Sequence, residues 1–169
     1  MPWVWVSIGS NQDRKRAIRG AVQVLRDRFG ALTLSRVYET EAVGFEGQPF
    51  YNLVAGFDTE EGVGELTAAF RAIEDAFGRV RGPERFAPRT LDIDLLTYGD
   101  RVGEIDGTEL PRDEILRYAF VLGPLAEVAG DEVHPAAGRT YLELWNARKG
   151  PAESLVPVDF PFEQVTNQQ

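Results

Sequence analysis

The sequence predicts an α+β fold of the ferredoxin-like type, in which two helices cover one face of an antiparallel sheet. Apolar and polar residues alternate from residue 91 to residue 95, which is typical of a half-buried strand. Two other segments repeat apolar residues at helical spacing, which is typical of amphipathic helices. Along the chain these patterns follow the order β-α-β-β-α-β and therefore indicate a ferredoxin-like sandwich.

Four strands and two helices are predicted within residues 1–98. The strands fall at residues 4–8, 32–40, 50 or 51–58 and 91–98. The first helix ends before Gly30 and carries the apolar stripe Ile18, Val22, Leu25 and Phe29. The second helix follows a turn at residues 59–62 and carries the stripe Leu66, Phe70, Ile73 and Phe77. These two stripes are expected to form a core on one sheet face, so that later segments or ligands cover the other.

Beyond residue 98 the pattern is weaker. It predicts an extra edge hairpin at residues 101–105, a helical turn at 111–116 and short helices at 124–129 and 140–147. We expect one domain over residues 1–150. Prolines recur at positions 151, 157 and 161 and the last residues are polar, so residues 151–169 are predicted to form an extended or partly disordered tail.

Composition restricts the possible partners. The formal net charge of -9 argues against non-specific nucleic-acid binding, which requires a basic surface. No apolar run approaches the roughly 20 residues of a membrane-spanning helix, and the first residues lack the features of a signal peptide. The absence of cysteine excludes disulfides and thiolate metal sites. We therefore expect a cytoplasmic protein with no nucleic-acid or membrane partner. We also expect a monomer that acts on small molecules.

The segment from residue 85 to residue 99 carries the clearest chemistry. Asp92 and Asp94 alternate with aliphatic residues, so both carboxylates project from one face of the predicted strand. Carboxylate oxygens suit hard cations such as Mg²⁺, which also leave room for phosphate oxygens. An isolated Asp-x-Asp is more often a solvent-facing pair, but a basic cluster precedes this one: Arg79, Arg81, Arg85 and Arg89. The combination predicts a site for a compact polyanion, whereas the lone His134 is expected to be a surface or packing residue rather than a catalyst.

Further motifs occur in order from residue 8 to residue 125. They are I-G-S-N at 8–11, Y-E-T at 38–40, Q-P at 48–49, Asn52, Glu74, G-R-V-R at 78–81, P-R-T-L-D-I-D-L-L at 88–96, A-F-V-L at 119–122 and P-L at 124–125. With these motifs the chain resembles the 6-hydroxymethyl-7,8-dihydropterin pyrophosphokinase family of folate biosynthesis. That family transfers pyrophosphate from ATP to the hydroxymethyl oxygen of the pterin and releases AMP.

The resemblance implies a role for each matching residue. Asp92 and Asp94 would hold two Mg²⁺ ions and, with Arg79 and Arg89, carry catalysis, and ATP would be the co-substrate. The implied ATP contacts are Glu74, Arg81, Arg85, Phe86, Arg89, Leu95 and Arg112. The implied pterin contacts are Thr40, Val43, Phe50, Tyr51, Asn52 and Phe120. Either Phe50 or Tyr51 would supply the second aromatic wall, because the segment before Asn52 is one residue shorter than is usual in the family.

Other departures from the family pattern concern ATP. The family typically has histidine where this chain has Arg112 and arginine where it has Tyr118, and both of those residues contact ATP phosphates. Arg112 is expected to act as a substitute cation. Phe86 replaces a common tryptophan and keeps an apolar lid. Two alternatives stay open at this point: a two-metal nucleotidyl transferase, and a catalytically weakened paralogue that binds pterin or nucleotide.

Overall fold

The computed structural model describes residues 1–41, 49–77, 91–148 and 155–162. The first half of the chain forms β1 (Trp3–Ser10), α1 (Arg14–Phe29), β2 (Thr33–Leu34), β3 (Val37–Thr40), β4 (Phe50–Asp58), α2 (Val63–Phe77) and β5 (Asp92–Tyr98). The second half forms β6 (Gly103–Ile105), β7 (Thr108–Leu110), α3 (Glu114–Arg117), α4 (Ala119–Ala129), α5 (Tyr141–Asn146) and β8 (Val156–Val158).

The main sheet has the strand order β5-β1-β4-β3-β8, with every described pair antiparallel and β2 paired to β4. This order confirms the predicted ferredoxin-like fold. The segment at 32–40, predicted as one strand, is divided into β2 and β3. The division occurs at Ser35, whose hydroxyl oxygen accepts a hydrogen bond from the backbone N–H of Val54 at 2.9 Å.

The two predicted apolar stripes meet on one face of the sheet. Their buried members form one core with β1, β4 and β5: Ile18, Val22, Leu25, Leu66, Phe70 and Ile73. Phe29 and Phe77 are only partly buried at the helix ends. Burying this continuous apolar surface is the main favourable contribution to the folding free energy.

The opposite face is covered by α4 and α5. Trp5, Val54 and Leu96 of the sheet pack there against Leu122 and Tyr141. The apolar run at 119–122 and the helix predicted at 124–129 form one continuous helix, α4. At the rim, the indole N–H of Trp5 donates to Glu132 Oε1 at 3.0 Å.

The later elements differ in part from the sequence prediction. The hairpin of β6 and β7 covers residues 103–110 rather than 101–105, and it forms a separate two-stranded sheet. Residues 156–158, predicted to lie in the tail, are extended but pair with β3, and Phe160 is buried in the core. The structured domain therefore continues past residue 150. Proline at 157 is compatible with this strand because β8 lies at the edge of the sheet.

Within the described ranges, no helix is both long enough and apolar enough to span a bilayer.

His134 lies in the connection between α4 and α5 and is buried against Tyr141. Its Nδ1 accepts hydrogen bonds from the backbone N–H groups of Ala136 and Ala137, at 3.1 and 2.9 Å. Burial lowers the pKa of His134 because the charged imidazolium would lose its hydration. Of the two predicted roles, surface or packing, the burial of His134 agrees with packing.

This histidine should make stability depend on pH. Because its pKa is lowered on folding, the unfolded chain binds the proton more strongly, and stability is lost as pH falls below about 6.5. In His134→Asn the amide oxygen can accept the same N–H groups without titrating. We expect the melting temperature of the wild type to fall more steeply between pH 7 and pH 5 than that of the variant. Parallel melting curves over this range would contradict the assignment.

Candidate active site

A cavity of about 290 Å³ opens where β1 runs between β4 and β5. Strands β1, β3, β4 and β5 line one side of it, and residues from α3 to the first turn of α4 line the other. The lining residues are Ser7, Ile8, Gly9, Thr40, Glu41, Phe50, Asn52, Asp92, Asp94, Glu114, Tyr118, Phe120 and Val121. The cavity thus brings together both predicted metal ligands and four of the predicted pterin contacts.

The two aspartates enter the cavity from β5. In the antiparallel pairing with β1, Asp92 lies opposite Gly9 and Asp94 lies opposite Ser7. Both side chains are half-buried. Burial raises the pKa of Asp94, and the nearby Arg112 partly opposes this effect. Two carboxylates on one strand face, near a cation, are therefore held at the floor of the cavity as the alternation predicted.

Arg112 lies beside this pair. Its NH2 group is 3.7 Å from Asp94 Oδ1. Its Nε and NH2 groups also donate to the two carboxylate oxygens of Glu114, at 3.1 and 3.0 Å. The hydrogen bond to Glu114 raises the pKa of Arg112, which keeps it charged. Arg112 therefore lies beside Asp94 and shares its charge with Glu114, and its role as a substitute cation stays a prediction.

A polar pair forms another wall of the cavity. The buried Asn52 donates from Nδ2 to the hydroxyl oxygen of Thr40 at 2.6 Å. In the sheet, Asn52 lies opposite Gly9. A Cβ atom built on Gly9 would be 2.7 Å from Asn52 Oδ1, so only glycine allows this close approach. Gly9 lies in β1, and the pairing register of this strand reveals its role.

Aromatic side chains complete the cavity. Phe50 and Phe120 both line it, and Phe120 stacks on Tyr118 with ring centres 4.9 Å apart. Tyr51 does not line it; its side chain is buried in the core on the other face of the sheet. Of the two alternatives left open above, Phe50 therefore lines the cavity and Tyr51 does not. Alternation along β4 explains this, because Phe50 and Asn52 share one face and the residue between them faces away.

A second cavity of about 340 Å³ lies between α2 and the β6–β7 hairpin. Its lining includes Thr67, Arg71, Asp94, Leu95, Asp106 and Arg112. Asp94 belongs to the lining of both cavities, so the two spaces meet at this carboxylate. Leu95 is buried in the core at its inner end.

Glu74 is buried on α2 and connects this helix to β5. Its Oε2 accepts a hydrogen bond from the backbone N–H of Ile93 at 2.8 Å. Arg71 NH1 donates to both Glu74 carboxylate oxygens at 3.1 Å. Glu74 thus anchors the strand residue between Asp92 and Asp94. Arg71, which was not among the predicted site residues, is a half-exposed cation beside the second cavity. It could have been identified from its position three residues before Glu74, which places both side chains on one helix face.

Six predicted site residues fall outside the described part of the chain. They are Val43, Arg79, Arg81, Arg85, Phe86 and Arg89. Tyr118 lines the first cavity. The neighbouring Arg117 instead forms an exposed ion pair with Asp113 at 3.1 Å.

The donor set of the first cavity fits a magnesium site that a substrate completes. In the described ranges, no group of three or more histidine, cysteine or acidic side chains is arranged to hold a metal by itself. Mg²⁺ commonly takes only one or two carboxylates from the protein and further oxygens from phosphate and water. Asp92 and Asp94 meet this requirement.

The arrangement of the residues agrees with the comparison to known families. Residues 5–130 match the model of the family described as 7,8-dihydro-6-hydroxymethylpterin-pyrophosphokinase (HPPK). The chain belongs to this family. It is 35% identical over 155 residues to the 2-amino-4-hydroxy-6-hydroxymethyldihydropteridine pyrophosphokinase of Bacillus subtilis, a match that covers 86% of this chain and 92% of that protein. The relative of the same name from Pseudomonas aeruginosa is 36% identical over 135 residues, covering 76% and 81%.

Other similar proteins are much longer than the region that they share with this chain. The chain is 33% identical over 138 residues to the folic acid synthesis protein fol1 of Pneumocystis carinii, which covers 80% of this chain but only 18% of that protein. Among solved structures, wild-type HPPK-DHPS of Plasmodium falciparum with pteroate matches with a TM-score of 0.66 and 12% identity. That match covers 86% of this chain and 44% of the other, and it shows a shared fold.

Proposed function

We propose that this protein transfers pyrophosphate from ATP to the hydroxymethyl oxygen of 6-hydroxymethyl-7,8-dihydropterin and releases AMP, as a step of folate biosynthesis. The observation that carries the proposal is the position of Asp94, which lines both cavities. Two substrates bound in adjoining cavities would meet at this carboxylate. Family membership supports the same reaction.

The first cavity suits the pterin. Phe50 and Phe120 offer apolar ring faces for a flat heterocycle. Asn52 Nδ2 is directed to Thr40, which leaves the amide oxygen able to accept from an amino group on the heterocycle. A small number of polar groups in an aromatic cavity is typical of sites that orient a planar ligand.

The second cavity suits the nucleotide. Arg71 and Arg112 line it, and guanidinium groups bind phosphate oxygens in a bidentate manner while remaining charged. Glu114 holds Arg112 in place but competes for its charge, so we propose that bound phosphate takes over some of these hydrogen bonds. By the resemblance, Arg79, Arg81, Arg85 and Arg89 would supply further cations and Phe86 an apolar contact.

Asp92 and Asp94 would hold the magnesium ions, and we propose two of them. Bound Mg²⁺ would neutralise phosphate charge and orient the reacting oxygens. The contribution of the protein is then positioning and electrostatic stabilisation, which dominate phosphoryl-type transfers. Glu74 serves this purpose by holding the backbone N–H of Ile93 between the two aspartates.

The test is an assay of AMP release by the purified protein with ATP, Mg²⁺ and 6-hydroxymethyl-7,8-dihydropterin. AMP is expected to form only when the pterin is present. Absence of pterin-dependent AMP would contradict the proposal. Pterin binding without AMP release would instead favour the non-catalytic paralogue that the changes at Arg112 and Tyr118 suggested. Localisation in the cytoplasm and a monomeric state stay predictions, the second of which sedimentation can test.

Arg112→Ala is expected to raise KM for ATP about tenfold or more, because hydrogen bonds to charged groups contribute roughly 1.5–3 kcal/mol. KM for the pterin should change little. Arg117→Ala is the matched control, since Arg117 is exposed and paired with Asp113 rather than lining the second cavity. Steady-state kinetics with ATP varied would measure both. Equal KM values for ATP in the wild type and Arg112→Ala would remove Arg112 from the ATP site.

A further inference from the structure

We propose that the C-terminal strap, defined as residues 155–162, is a positioning element that sets the affinity of the first cavity for the pterin. This inference rests on the proposed pterin substrate. The side chains of the strap do not line the cavity in the described part of the chain. They contact residues adjacent to those that do, on both sides of the cavity.

The first connection runs through the sheet. In β8, Val156 lies opposite Glu39 of β3. In turn β3 pairs with β4, where Thr40 lies opposite Phe50. Pairing with the strap therefore extends to the residue just before Thr40, whose hydroxyl accepts the hydrogen bond from the cavity amide. Without β8, this end of β3 would be an unpaired edge, and edges with exposed hydrogen bonds open readily.

The second connection runs through Phe160, which is 8% exposed. Its ring meets the ring of Tyr51 edge to face, with centres 6.0 Å apart and planes at 90°. On Tyr51, the guanidinium of Arg14 lies 3.9 Å from the ring centre. The same guanidinium donates to Glu39 Oε2 at 2.9 Å and to the carbonyl oxygen of Pro49 at 3.0 Å. Phe160 thus packs against a cluster in which Tyr51 and Arg14 connect the end of β3 to the start of β4.

This cluster affects the cavity because successive side chains of β4 point to opposite faces of the sheet. Tyr51 is placed between Phe50 and Asn52, which both line the cavity on the opposite face of the sheet. Fixing the Tyr51 side chain on the core face therefore fixes the backbone that presents its two neighbours. Arg19 holds Phe160 from the helix side, with its guanidinium carbon 4.7 Å from the ring centre.

The third connection reaches the opposite wall. Leu155 lies against Gly123 of α4, where a built Cβ would be 2.7 Å from Leu155 Cδ1. The same helix carries Phe120 into the cavity. One short segment thus contacts the neighbour of Phe50, Tyr51, through Phe160 and the helix that carries Phe120 through Leu155. Because a flat ligand is held between such walls, their separation should control its affinity.

The experiment compares Phe160→Ala with the wild type in the full-length protein, with each substrate varied in turn. KM for the pterin and the dissociation constant from pterin fluorescence are expected to rise about tenfold, as for a displaced positioning contact. KM for ATP should change by less than about twofold, because none of the described residues that line its cavity belongs to the strap. Phe160→Leu, which restores most of the apolar volume, is expected to recover most of the pterin affinity.

Phe29→Ala is the matched control for a loss of packing alone. Phe29 stacks on Phe57 with ring centres 4.2 Å apart, against the same sheet face but away from the cavity residues. We expect it to lower the melting temperature without changing the ratio of the two KM values.

Unchanged pterin affinity in Phe160→Ala, or an equal rise in both KM values, would overturn the inference. If Phe160→Ala does not fold, the same criteria apply to Phe160→Leu, where a smaller but pterin-selective rise is expected. A wild type without pterin-dependent AMP release would contradict the proposed function instead.

Discussion

Asp94→Asn is expected to lower kcat by about a hundredfold or more, the scale on which a preorganised electrostatic contact contributes to catalysis. Asp94 lines both cavities and is proposed to hold metal between the two substrates. The amide has nearly the same shape as the carboxylate but lacks the charge that binds Mg²⁺. Single-turnover AMP release at saturating substrates would measure the loss directly.

The fold should tolerate this change. Burial raises the pKa of Asp94, which means that the site disfavours the charged form in the absence of metal. A neutral amide therefore removes no net stabilising charge, and the melting temperature in metal-free buffer is expected not to fall. Pterin binding should also be retained. Asp58→Asn, an exposed aspartate at the end of β4, is the control and should keep full activity. Normal turnover in Asp94→Asn would refute the metal assignment.

Gly9→Ala is expected to raise the dissociation constant of the pterin by roughly a hundredfold, because small displacements in a positioned site can have effects of this size. The new Cβ would lie 2.7 Å from Asn52 Oδ1, closer than real contacts allow. The amide must then move, and its hydrogen bond to Thr40 is strained or lost. Fluorescence titration with the pterin would measure this effect without requiring turnover.

Gly62→Ala is the matched control, because it adds the same methyl group at a glycine whose surroundings can accommodate it. A Cβ built on Gly62 has Glu65 Oε1 at 3.7 Å as its nearest neighbour, which is an ordinary contact. This control is expected to bind the pterin like the wild type. ATP binding should be unchanged in both variants, so a general loss of folding would be recognised by a parallel loss of ATP affinity. Wild-type pterin affinity in Gly9→Ala would show that Asn52 does not contact the ligand.

Local periodicity carried the fold prediction and the centre of the site. Alternation placed Asp92 and Asp94 on one strand face, and helical spacing identified both apolar stripes, because these patterns repeat along a single element. The same alternation could have separated Phe50 from Tyr51. Once Asn52 is assigned to the cavity, its neighbour must face away.

The periodicity of apolar residues along a segment does not predict contacts between distant parts of the chain. The approach of Gly9 to Asn52 depends on the register between β1 and β4, which no single segment encodes. The placement of Arg71 beside the second cavity depends on how α2 lies against β5 and the β6–β7 hairpin. The strap was predicted as a tail because its prolines indicated irregular structure, while its strand pairing is visible only in the folded sheet.

The sequence by itself thus determined the fold class, the family and the placement of Asp92 and Asp94 on one strand face, because each follows from residue types in local patterns and motifs along the chain. The tertiary structure decided which aromatic residue faces the cavity, which glycine permits the Asn52 contact, and that Asp94 joins two cavities. It also decided that residues beyond 150 add an edge strand to the sheet. These features arise from register and packing between elements far apart in the chain, where the free energy depends on many contacts at once.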